Sequence, residues 1–111
     1  MKLVIAVIRP YKIEEVQEAL AQLGIARFNI TEAKRFGPYK GHTVIGRGRE
    51  YAAGFVPKIK VEVVVPASLV DKVVDAIARS ARTNEAGDGE IIVMGIDRRM
   101  GIHTGETDFG G

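Results

Sequence analysis

The segment ARTNEAGDGEIIV, Ala81 to Val93, holds the residue types best suited to binding. Gly87, Asp88 and Gly89 make a tight turn directly before an apolar run. Such a turn can aim backbone N–H groups at an anion, and phosphate suits it well. A lysine or arginine is the expected next residue, because charge-assisted hydrogen bonds to phosphate are stronger than neutral ones. The chain carries Glu90 there instead. The nest and the residue at its rim point to opposite ligand charges.

Other chemistry is sparse. With no cysteine there is no disulfide, thiolate nucleophile or thiolate metal site. His42 and His103 are the candidate metal ligands. They would need Glu106, Asp108 or the same histidine from several subunits to complete a site. Asp88 and Glu90 are a close carboxylate pair, but no G-x-S-x-G motif or other nucleophile accompanies them, so catalysis is not expected. Arg47 and Arg49 in GRGRE fit a solvated docking loop better than a nucleic-acid site, since the net charge is only +2.

The elements that position these residues follow from periodicity. The 111 residues suit one domain, and 46% hydrophobic with 27% charged is ordinary globular composition. No run of 18 apolar residues predicts a membrane span. KLVIAVIR (2–9) reads as a strand with two apolar faces, ended by Arg9 and Pro10 rather than continuing as a leader. A cytoplasmic location is expected. Ile13, Val16, Leu20 and Leu23 recur at helical spacing, and Gly24 ends that helix. ARFNITEAKRF (26–36) and KIKVEVVV (58–65) read as strands. In the latter, Ile59, Val61, Val63 and Val65 share one face, and Lys58, Lys60 and Glu62 the other. PASLVDKVVDAIARSAR predicts a second helix, with Ser68 and Asp71 as a variant capping box and Val70, Val73, Val74, Ile77 and Ala81 as its buried stripe. EIIVMGI (90–96) is the fourth strand, and the glycine-rich tail, about 99–111, reads as mobile at its end.

The fold class expected is α+β: a ferredoxin-like βαββαβ domain over 1–111, with a glycine turn at 82–90. Its long loop, about 37–55, lies between strands 2 and 3, and a loop of that length is usually functional. Two helices can cover one sheet face only. The apolar residues on the other face predict association with further copies.

RPYKIEEVQEAL, FGPYKGHT, GREY, FVPKIKVEVVV, ARTNEAGDGEIIV and HTGE occur in an order and spacing that resembles the PII signal-transduction proteins (nitrogen regulatory protein P-II). The resemblance covers almost the whole chain. It implies a cytoplasmic homotrimer with its sheets lining the interior. It also implies ATP or ADP in clefts between subunits, with 2-oxoglutarate bound through ATP-held Mg²⁺. The long loop would dock on a membrane transporter or metabolic enzyme through Tyr39, Lys40, His42, Arg47, Arg49 and Tyr51, and Tyr51 is the candidate for uridylylation. The nucleotide positions implied are Val7, Phe28, Asn29, Gly37, Lys58 and Val64, together with Gly87, Asp88, Gly89, Glu90, Gly101 and His103.

Several of these depart from the pattern the resemblance carries. Glu90 stands where the family has lysine, and Gly101 and His103 where it has arginines. Tyr39 replaces the glutamine that helps arrange Mg²⁺ and 2-oxoglutarate, Pro38 replaces an arginine, and Arg35 a small residue. The clamp's charge falls by about four if His103 is neutral. Each lost charged partner is worth roughly 1.5–3 kcal/mol, so ATP should be weakened by several powers of ten unless Arg35, Arg98 or Arg99 replaces it. The expected ligand is therefore ADP, AMP or another small molecule. The alternative is a trimeric adaptor that senses no nucleotide, linked to metal transport or metal binding as some divergent relatives are.

Overall fold

The computed structural model describes residues 1–36 and 55–109. Elements run in the order β1 (Lys2–Ile8), α1 (Ile13–Gln22), β2 (Asn29–Phe36), β3 (Phe55–Val65), α2 (Val70–Ala81), β4 (Gly89–Gly95), β5 (Arg98–Met100) and β6 (Thr107–Phe109). Strands β2-β3-β1-β4 form one antiparallel sheet, so the ferredoxin-like topology is present. Among the described residues no helix is long and apolar enough to cross a membrane.

Alternation in β1 makes the core. Val4, Ala6 and Ile8 point to the helix side and are buried with Val61, Val63 and Val65 of β3. Val16 and Leu20 of α1 and Val73, Ile77 and Ala81 of α2 close over them. The period-2 and period-3.6 stripes thus meet in one layer. Val70 and Val74 pack only at its margin.

Among the described residues nothing covers the opposite sheet face. Leu3, Ile5 and Val7 are half-buried, and their neighbours Val64, Ile92 and Met94 are 39%, 41% and 50% exposed. A row of apolar side chains in this state is more than a scattered surface residue.

Element ends differ from the sequence expectation for local reasons. Residues 26–28 are not strand, because pairing starts where Asn29 meets Glu62. β3 starts at Phe55, earlier than expected, although Pro57 lacks an N–H. Pro57 lies beyond Ile59, the last β3 residue paired with β1, so its missing donor breaks no bond on that side. The expected Ser68–Asp71 capping box is not formed. Ser68 sits inside a 3₁₀ turn, Ala67–Leu69, which leads straight into α2, and Leu69 stands at the N-cap with no side-chain cap bond. The tail segment contains the β5–β6 ladder, with Arg99 bonded to Asp108 at 2.8 Å and Gly105 at φ +74° in the connection. The rings of Phe36 and Phe55 pack 5.0 Å apart where the 37–54 segment departs.

Candidate functional site

The glycine turn is built around the carboxylate of Asp88. The N–H groups of Thr83 and Asn84 donate to its Oδ2 at 2.8 and 3.0 Å. The Thr83 hydroxyl and Arg9 Nε donate to Oδ1, the latter at 3.0 Å. Asn84 takes φ +68° as the chain turns there, a conformation asparagine tolerates better than most residues. The Thr83 hydroxyl first, then the Thr83 N–H, hold the Asp88 carboxyl far below the usual carboxylate range. The anion nearest the turn's donors is therefore the chain's own.

Gly89 lets this turn enter the sheet. At φ +113°, a Cβ there would lie 1.8 Å from the carbonyl oxygen of Val7. Only glycine permits both that backbone and that approach.

Three cations surround the turn. Arg9 also donates to the Ala86 carbonyl at 2.9 Å. Lys58 donates to the Gly87 carbonyl and is only 3% exposed. Its register places it on the open face, where its ammonium reaches the Gly87 carbonyl of the turn and feels the charges of Arg9 and Arg35. Burial pushes its pKa down, and the charges of Arg9 and Arg35 push the same way against the raising effect of Asp88. Arg35, the penultimate residue of β2, reaches Glu90 at 3.3 Å.

The implied nucleotide positions fall into two groups. Val7, Asp88, Gly89 and Glu90 line a pocket of about 230 Å³ at the sheet end beside α2, which contributes Ile77, Ala78 and Ala81. Phe28, Asn29 and Val64 line another hollow, of about 370 Å³, with Arg27, Glu62 and Arg99. Within one chain the two groups lie toward opposite ends of the sheet. Gly89 pairs with Ile8, while Val64 pairs with Leu3, five residues along β1 and roughly 17 Å away. Gly101 and His103 lie in the β5–β6 connection, outside the main sheet. Gly37, Tyr39, Lys40, His42, Arg47, Arg49 and Tyr51 fall outside the described residues, with the rest of the expected docking loop up to residue 54. Among the described residues no three histidine, aspartate or glutamate side chains gather as metal ligands.

Arg9 belongs to this site and was missed in the sequence, where it read only as the end of β1. Its signal was its place: the residue after a strand whose last pairing partner is Gly89. Of the three arginines that could restore the clamp's charge, Arg35 pairs with Glu90 and Arg99 with Asp108.

These features define a class: a ferredoxin-like α+β domain with an open sheet face, a segment inserted between β2 and β3, and a glycine turn against the sheet end. The family model for nitrogen regulatory protein P-II matches residues 1–106. The nitrogen regulatory protein P-II of Rhizobium etli is 53% identical over 108 residues, covering 97% of this chain and 96% of that one. P-II 1 of Escherichia coli is 49% identical with the same coverage. The crystal structure of Arabidopsis thaliana PII bound to citrate matches with a TM-score of 0.79 at 32% identity, over 96% of this chain and 87% of that one. The chain belongs to the nitrogen regulatory protein P-II family of signalling proteins.

Proposed function

We propose that this protein is a non-enzymatic, homotrimeric regulator that binds a small ligand in clefts between subunits. The ligand biases the 37–54 segment, which docks on a membrane transporter or metabolic enzyme in the cytoplasm. One observation carries the reading: the two groups of candidate residues lie toward opposite sheet ends in one chain. Copies joined through their open faces can bring the Gly87–Glu90 end of one subunit against the Phe28–Val64 end of the next. The sensor's base is also close to its output, since Arg35 lies in the strand leading into the 37–54 segment and touches Glu90.

ADP or AMP suits this cleft better than ATP with Mg²⁺ and 2-oxoglutarate, because the cations at the turn already have partners. Citrate in the plant relative's structure shows a multivalent carboxylate with a protein of this family. The test is hydrogen exchange of the 37–54 segment in the trimer with ATP, ADP and AMP. A nucleotide that alters exchange there supports the sensor. Unchanged exchange with all three favours the second reading, an adaptor with no nucleotide signal, which the internally paired cations also support.

A further inference from the structure

Glu90 and Arg35 come from opposite edges of the sheet. Glu90 lies in β4 and Arg35 in β2, with β3 and β1 between them. Nothing local in the sequence produces their 3.3 Å contact. The contact lies at the sheet end where Val7 pairs with Glu90 and Arg35 with Val56, the end that also holds Lys58. There Arg9 is held by Asp88 and the Ala86 carbonyl, and Lys58 by the Gly87 carbonyl. Arg35 would be the one of the three still available to an incoming anion, and Glu90 takes it.

We propose that Glu90 is an internal substitute for a ligand's phosphate, occupying Arg35 so that this end of the site excludes a triphosphate chain. The proposal rests on the reading above for where the ligand lies, and adds the residue that selects it. A polyphosphate arriving here would meet the Glu90 carboxylate at short range. To reach Arg35 it would have to break the ion pair and leave Glu90 unpaired beside its own charge. A ligand with a shorter phosphate chain, as in ADP or AMP, sets less charge against Glu90 and need not reach Arg35. Arg35 and Glu90 side chains are 36% and 51% exposed, so their pairing contributes little to folding. Its effect falls on selection of the ligand instead.

Inorganic tripolyphosphate is the direct probe, titrated calorimetrically into the intact protein, into Glu90→Gln, and into the double variant Arg35→Gln/Glu90→Gln. Glu90→Gln should bind tripolyphosphate on the order of tenfold more tightly than the unsubstituted protein, the scale of one charge-assisted contact. The double variant should lose most of that gain. A Glu90→Gln protein that binds no more tightly overturns the proposal, and so does a gain that survives removal of Arg35. Glu90→Lys provides a second variant at the same position and should exceed Glu90→Gln. Thermal melts of all variants confirm that each is folded. Tripolyphosphate carries no base, so this outcome is independent of whether a nucleotide moves the 37–54 segment.

Discussion

Arg9 Nε lies 3.0 Å from Asp88 Oδ1, joining the end of the first strand to the glycine turn across 79 residues of sequence. The bond fixes the turn against the sheet end and places the carboxylate where Thr83 and Asn84 also reach it.

The turn should therefore weaken in acid. Asp88 titrates far below the ordinary carboxylate value of about 3.9, so the unfolded chain takes up its proton first. The stabilisation is complete above about pH 4 and is lost as pH falls toward the depressed native value. Asp88→Asn should lower the urea midpoint at pH 7. The gap between it and the unsubstituted protein should narrow steadily below about pH 4. A gap independent of pH would contradict the assignment.

Gly89→Ala should be far more damaging than Gly24→Ala. Both glycines have positive φ, +113° and +81°, but a Cβ at Gly24 meets nothing within 4 Å while one at Gly89 strikes the Val7 carbonyl. Backbone strain alone predicts a loss of roughly 1–2 kcal/mol at Gly24. Added overpacking predicts ~3 kcal/mol or more at Gly89. Equilibrium denaturation of the two variants checks the order.

The open sheet face should hold the assembly together. Ile92 is 41% exposed in a single chain and pairs with Ile5 in the middle of that face. Ile92→Glu would bury an unpaired charge in any face-to-face contact, at a cost of several kcal/mol. Sedimentation should show a trimer for the unsubstituted protein and a smaller species for Ile92→Glu. Glu14→Lys, on the exposed side of α1, should leave the mass unchanged.

Much of this architecture was legible in the sequence because it is periodic. The alternation of Val4, Ala6 and Ile8 and the helical spacing of Val16 and Leu20 record burial directly, and the sheet follows from their order. Gly87 and Gly89 were legible because turns with positive φ demand glycine. By periodicity Lys58 reads as one more polar residue on an alternating strand, and only the family resemblance singles it out. Its bond to the Gly87 carbonyl depends on the turn's position, which spacing along β3 does not encode. Arg9 was opaque, and the partner of Arg35 was too, for the same reason: Asp88 and Glu90 are 79 and 55 residues away. Ser68 misled because a cap motif was read where Pro66 begins a 3₁₀ turn.

Calorimetric titration of the assembled protein with ATP, ADP and AMP, each with and without Mg²⁺ and 2-oxoglutarate, tests the central claim most directly. The account predicts that ADP or AMP binds more tightly than ATP and that 2-oxoglutarate with Mg²⁺ adds nothing. ATP as the tightest ligand, strengthened by 2-oxoglutarate, would contradict it and would mean that the Glu90 carboxylate yields Arg35 to the phosphates.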